Sequence, residues 1–201
     1  MARLSSEVLS HPQSLAGSWT REVLLVIGAS LLVAVCAHLA VPLPFTPVPL
    51  TLGNFAVLLV GMALGPRRGF AALALYLAEG AAGLPFFTPT GPGGLAQLMG
   101  PTGGYLLAYP LAALLAGWIA ERRMPAALGL PLAGIGGEVV IFTGGVCGLM
   151  VLTHQPLAQA MALGVAPFAI PELIKIAAAA AMLAGMRRAG LARLTHSNAT
   201  Q

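Results

Sequence analysis

Six apolar stretches, none with more than two charged side chains, constrain this chain more than any other feature. They cover residues 23–41, 51–64, 70–86, 105–120, 129–152 and 167–185, with a break expected at 80–83 in the third. A membrane-spanning helix needs about 20 mainly apolar residues. A water-soluble fold is excluded by composition: 58% of the 201 residues are hydrophobic and 8% are charged, too little polar surface to cover a globule. The pattern therefore predicts an all-α membrane protein, a bundle of six transmembrane helices.

The charges between the stretches alternate. Arg67 and Arg68, Arg122 and Arg123, and Arg187 and Arg188 follow the second, fourth and sixth stretches, while the connections after the first, third and fifth carry no Lys or Arg. Arg3 and Arg21 precede the first stretch and Arg193 follows the last. Cytoplasmic loops concentrate such cations, so both termini are expected in the cytoplasm. An even number of spans requires the same. The division is a cytoplasmic segment over 1–22, a membrane domain over 23–188 and a cytoplasmic tail over 189–201. About twenty polar residues precede the first apolar run, which is too long for the roughly 7–15-residue core of a cleaved signal. It reads as a retained helix.

Ten cations scattered through an apolar chain do not form a nucleic-acid groove. Cys36 and Cys147 both fall in apolar runs without a CxxC pair, which favours packing over a metal site or disulfide. HExxH, GxSxG and Walker-type motifs do not occur, and the chain has no Asp. An enzyme is not expected, and nothing calls for a cofactor.

Two uncharged connections are unlike flexible linkers. Residues 41–51 read VPLPFTPVPLT, with four prolines that predict a stiff, extended segment near polyproline II. Residues 88–104 read TPTGPGGLAQLMGPTGG, glycine-rich but with an apolar centre at 95–99. Both are expected to pack over the outer mouth of the bundle.

Four ionisable side chains lie inside the stretches: Glu79, Glu138, Glu172 and Lys175. Each costs about 2.5–3.5 kcal/mol at mid-bilayer on insertion scales, so such residues pair, face a cavity or bind something. Glu172 and Lys175, three apart, share a helix face, with Lys175 roughly 12 Å deep counted from residue 167. They form either a self-neutralising pair that holds helices together or a recognition site. As a site they match a group presenting both N–H and C=O, such as a urea or amide. Glu79 and Glu138 could line the cavity or make interhelical hydrogen bonds. Asn54 and Gln97 are neutral polar candidates near the outer side. Tyr76, Tyr105, Tyr109 and Trp118 read as interfacial anchors or packing groups. Small residues at Ser30-x-x-x-Ala34 and 177–181 permit close helix approach, within the bundle or to another membrane subunit.

Four blocks together resemble the BioY family: VPLPFTPVPLT at 41–51, LGPRRG at 64–69, GLAQLMGPTGGY at 94–105 and PFAIPELIK at 167–175. The resemblance covers about residues 23–188. It implies the biotin-specific substrate-binding subunit of an energy-coupling factor transporter in the bacterial cytoplasmic membrane. It also implies biotin as ligand, lipid on all sides, and a transmembrane coupling subunit with two ATPase subunits as partners. Carried over, it places Lys175 and Glu172 at the substrate; Gln97, Tyr105, Asn54 and Phe45 complete the expected substrate-binding set. Glu172 and Pro171 stand where the family usually has Asp and Gly, Leu106 where some members have Arg, and Pro92 where some have Asn. A capture subunit for another vitamin, an ion-coupled carrier using Glu79, Glu138 and Glu172, and an assembly protein without a small ligand remain alternatives.

Overall fold

The computed structural model describes residues 13–189. Among them are eight helices: α1 Gln13–His38, α2 Gly53–Leu64, α3 Pro66–Ala81, α4 Gly94–Leu98, α5 Gly103–Ala120, α6 Ala126–Thr153, α7 Leu157–Gly164 and α8 Ala169–Arg188. Six of these answer to the six apolar stretches; α4 and α7 are short helices not expected from the sequence. Trp19–His38, α5, α6 and α8 are long and apolar enough to cross a membrane, whereas α2 is apolar but only 12 residues long. Large apolar side chains ring the outside, among them Leu24, Leu31 and Val35 on α1, Leu107 on α5, Val139 on α6 and Ile174 on α8. Such a surface is tolerated in lipid, not in water. The chain is a multi-pass helical membrane protein.

Boundaries shift where local chemistry overrides hydrophobicity. α3 begins at Pro66, before both arginines, because proline at the first helical position gives up an N–H that has no intrahelical partner. Gly65 precedes it at φ 82°, a conformation that glycine adopts readily. α3 ends at Ala81, inside the expected break, and Gly83 turns the chain at φ 94°.

The proline-rich segment is not a continuous polyproline rod. Ala40–Val41 (β1) and Leu50–Thr51 (β2) pair antiparallel in the register Ala40↔Thr51 and Val41↔Leu50, so the segment doubles back as a hairpin. Its prolines lack the N–H that a longer ladder would need, which confines pairing to the two ends. The glycine-rich connection also departs from expectation. Leu95 and Met99 are 64% and 79% exposed and do not pack inward.

Helices approach most closely at glycines. A Cβ on Gly117 of α5 would lie 2.6 Å from the carbonyl carbon of Gly65 and 2.7 Å from the carbonyl oxygen of Gly61, so bare backbone surfaces meet there. Along the α5–α6 contact, a Cβ on Gly148 would lie 2.8 Å from the Gly104 Cα. Ser30 and Ala34 are buried, and Ser30 Oγ donates to Glu79 across the α1–α3 contact. That small pair is consumed inside the bundle and is not a surface for another subunit. Ala177, Ala178 and Ala181 are exposed on α8.

The described arginine doublets gather at one end. Arg68 makes a two-pronged ion pair with Glu22 at 2.5 Å, Arg187 donates to the Met62 carbonyl at 3.5 Å, and the Arg122 guanidinium lies 3.5 Å from the Trp118 ring centroid. Arg3 and Arg193, and most of the two terminal segments, lie outside the described residues. Cys36 is buried as expected; Cys147 is exposed on α6 instead.

Candidate functional site

The opposite end of the bundle holds a cluster of polar side chains. Lys175 Nζ donates to Glu172 Oε1 at 2.7 Å and to the Thr51 carbonyl at 2.5 Å. The two side chains are 10% and 4% exposed. Their i,i+3 spacing on α8 puts them on one face, and the end of β2 presents the carbonyl. Because α8 begins at Ala169, Lys175 lies about 9 Å from its start, shallower than the count from residue 167 suggested. Pro171 sits in the first turn, where the missing N–H breaks no intrahelical bond, and α8 is not interrupted there.

A second polar chain lies beside the pair. Asn54, at the start of α2, donates from Nδ2 to Glu138 Oε1 at 3.1 Å and accepts at Oδ1 from the Tyr109 hydroxyl at 2.8 Å. Four helices thus meet through polar contacts: α2, α5, α6 and α8. Three buried side-chain oxygens have no hydrogen-bond partner among the described residues: Tyr76 Oη, Glu138 Oε2 and Glu172 Oε2. Leaving a buried acceptor unpaired costs about 1–3 kcal/mol, more for a charge, which is why orphaned oxygens mark places where something can bind.

A cavity of about 40 Å³ opens on this cluster. Its wall includes Thr51, Asn54, Tyr105, Tyr109, Phe142, Phe168 and Glu172, and Val48 and Pro49 of the hairpin cover it. The Tyr105 hydroxyl donates to the Gly164 carbonyl at 2.8 Å, tying α5 to the end of α7. Thr46 Oγ1 donates to the Leu163 carbonyl at 2.7 Å, tying the hairpin to the same segment. A much larger hollow of about 770 Å³ lies between α5 and α6, with Leu107, Leu111, Cys147 and Val151 in its wall. It contains none of the expected site residues or buried charges, and its apolar wall suits lipid rather than a polar ligand.

Of the residues expected at a site, the structure brings Lys175, Glu172, Asn54 and Tyr105 together. It does not bring Phe45 or Gln97. Phe45 stands at the hairpin tip, 61% exposed, because the segment folds back instead of running across the mouth. Gln97 is buried, but its amide is spent on the glycine-rich connection: Oε1 accepts from Gly93 N at 3.1 Å and Nε2 donates to the Thr88 carbonyl at 3.5 Å. Glu79 is engaged by Ser30 and does not line the cavity, so the three glutamates do not form one path. Tyr109 and Tyr105, expected as anchors or packing groups, face the cavity. Their i,i+4 spacing on α5, matched by Glu138 and Phe142 on α6, is the signal that could have placed them there. Trp118 stays half-exposed near the arginine end.

The fold and this cluster define a multi-pass helical membrane protein with a buried ion pair beneath a loop cover. Comparison with known proteins narrows the class. The BioY family model matches residues 5–192. The biotin transporter BioY of Thermotoga maritima is 39% identical over 149 residues, covering 74% of this chain and 85% of that protein. The biotin transporter BioY2 of Lactococcus lactis subsp. cremoris is 37% identical over 156 residues, covering 76% and 81%. The chain belongs to the BioY family. Its fold matches the crystal structure of the S-component for biotin from an ECF-type ABC transporter, with a TM-score of 0.77, 22% identity, and coverage of 86% of this chain and 93% of that one.

Proposed function

We propose that this chain captures biotin at the outer side of the cytoplasmic membrane and is the substrate-specific subunit of an ECF-type transporter. The observation that carries the reading is the buried Glu172–Lys175 pair under the proline-rich hairpin in a BioY-family chain. The ureido ring of biotin carries N–H donors and a C=O acceptor. Glu172 Oε2, which has no hydrogen-bond partner within reach among the described residues, accepts one N–H; the third N–H of Lys175 donates to the C=O. Tyr105, Tyr109, Phe142 and Phe168 enclose the rest of the bicycle. Gln97 contributes by holding the glycine-rich connection, and Phe45 lies outside the contact set. Binding requires no covalent chemistry, and the chain is not an enzyme.

In this reading α1, α2, α3, α5, α6 and α8 span the membrane, both termini are cytoplasmic, and residues 23–188 form one membrane domain. The arginine end faces the cytoplasm. A transmembrane coupling subunit and two ATPase subunits are the partners. Titration of the purified protein with biotin tests the core of the proposal, with binding far tighter than millimolar expected. Millimolar or weaker binding sinks it, and displacement of labelled biotin by a different vitamin would redirect it.

The cavity, at about 40 Å³, has space for only a few waters. Biotin therefore enters by displacing the hairpin cover, which Thr46 fastens to Leu163. Thr46→Val removes that hydrogen bond and keeps the shape. The expected result is biotin association and dissociation both faster by about threefold to tenfold, with affinity little changed, because one net hydrogen bond is worth about 0.5–1.5 kcal/mol. Stopped-flow kinetics measure this; unaltered rates would show that Thr46 is not the fastening.

A further inference from the structure

The end of the bundle that holds the site carries no fixed charge on its surface. The three segments that cap it, residues 39–52, 82–102 and 154–168, contain no Lys, Arg, Asp or Glu. The described arginines stand at the other end, where Arg68 pairs with Glu22 and Arg187 reaches the Met62 carbonyl. Lys175 is the only lysine of the chain, and two of its three N–H groups are committed to Glu172 and to the Thr51 carbonyl. His38 and His154 also sit at the site end; both are exposed and neither lines the cavity. Four polar side chains of the capping segments are used among those segments. Thr46 holds the Leu163 carbonyl, Thr88 and Thr90 share a hydrogen bond at 3.0 Å, and Gln97 is spent on Gly93 and Thr88.

Biotin has two unlike ends, a neutral ureido head and a carboxylate on an apolar tail. With the head on Glu172 and Lys175, the tail runs toward the hairpin, because Val48 and Pro49 close the cavity on that side. The carboxylate does not turn back into the site. Glu172 already supplies the anion that Lys175 balances there, and a second buried anion without a cation is costly. Outward, the tail meets no Lys or Arg in the capping segments. An unpaired carboxylate is most stable in water, so it lies beyond the cover, in solvent. We propose that the chain reads its ligand by the ureido head alone and therefore takes a wider substrate class than free biotin: biotin joined through its carboxyl group, as an amide, to an amine such as the lysine side chain. The inference rests on the biotin reading of the same site. Amide formation removes the negative charge, but a charge that touches nothing adds nothing to affinity. Specificity then resides wholly in the buried head.

The test is displacement of labelled biotin from the full chain in nanodiscs of uncharged lipid. The competitors are biotinamide and biotin linked as an amide to the side chain of lysine. Biotinamide replaces the carboxylate by a neutral group of the same size, and the lysine conjugate adds bulk at the same point. Both are expected to bind within about threefold of biotin itself. A carboxylate held by a cation or by charge-assisted hydrogen bonds would lose about tenfold or more on conversion to the primary amide, and that loss overturns the inference. Binding of biotinamide with exclusion of the lysine conjugate overturns it as well, because the end of the tail would then be enclosed.

Salt gives a reading that does not depend on how a conjugate fits. Attraction between a carboxylate and an exposed cation is screened, whereas a head buried in the bundle is not. Biotin affinity is expected to change by less than about twofold between low and high salt. A larger fall in affinity with salt overturns the inference. The ratio of biotin to biotinamide affinity is also expected to be the same at about pH 6 and about pH 8, a range over which an ordinary imidazole loses its charge. A preference for biotin that appears only at the acid end would place the carboxylate on His38 or His154, against the inference. Failure of wild type to bind biotin would remove the proposed function. Tight binding of biotin with rejection of its amides would remove this inference and spare that function.

Discussion

Lys175→Ala should weaken biotin binding by about two to three orders of magnitude, the largest effect of any single site substitution. Lys175 is shared by Glu172 and the Thr51 carbonyl, so its removal strips both acceptors at once. Breaking a buried ion pair by deleting one partner costs about 3–5 kcal/mol, because the remaining charge stays desolvated without compensation. In the binding reaction the proposed donor to the ureido oxygen is also lost. Calorimetric titration of the purified variant measures the change. The paired variant Lys175→Ala with Glu172→Ala separates stability from recognition. With no charge left uncompensated it should melt closer to wild type than Lys175→Ala does, yet still bind biotin poorly. If Lys175→Ala binds biotin as wild type does, the ligand lies elsewhere in the chain, and the Glu172–Lys175 pair only joins α8 to the hairpin.

The largest expected effect on stability comes from Gly117→Val. Valine Cβ at this position would lie 2.6 Å from Pro66 N and from the Gly65 carbonyl carbon, and 2.7 Å from the Gly61 oxygen. All three are backbone atoms and cannot rotate away. α5 would have to separate from the α2–α3 junction, which also carries Gly65 at positive φ. Overpacking of this kind costs about 3 kcal/mol. For a chain of this length that corresponds to a melting temperature lower by about 6–12 °C. Gly28→Ala and Gly185→Ala provide the comparison, since a Cβ at either meets nothing within 4 Å. Both should melt at or slightly above wild type, because alanine is the better helix former. Equal melting of Gly117→Val and Gly28→Ala would show that the α2–α5 approach does not limit stability.

The site was partly legible before the fold was known. Glu172 and Lys175 stand out because charges are costly in an apolar run and their spacing is helical. Asn54 is legible as a neutral polar side chain near the outer side, and Tyr105 as the last residue of a block that resembles the family. Gln97 looked equally good, a polar side chain inside an apolar stretch of a glycine-rich connection. Its amide turns out to be used by the neighbouring backbone, a local satisfaction that residue type cannot reveal. Phe45 stands exposed at the hairpin tip, because proline density indicates stiffness but not where the chain reverses. Glu138 and Tyr109 were visible as residues but not as partners of Asn54. Nothing in the sequence brings positions 54, 109 and 138 together; the packing of α2, α5 and α6 does.

The six apolar stretches, the one-sided arginines and the isolated Glu172–Lys175 spacing are properties of local sequence. They follow from the cost of polar groups in lipid and from the 3.6-residue helical repeat, which act wherever the stretch lies. Sequence alone therefore determined the helical membrane class, the approximate helix positions and the shared face of the ion pair. The tertiary structure decided what that face meets. Close approach at Gly61, Gly104, Gly117 and Gly148 brings the helices together, and the hairpin carries Thr51 over Lys175. Together these contacts turn a buried charge pair into a site with a wall, a cover and unpaired oxygens. Those features depend on atoms distant in the chain coming within hydrogen-bond reach, and only the complete packing sets such distances.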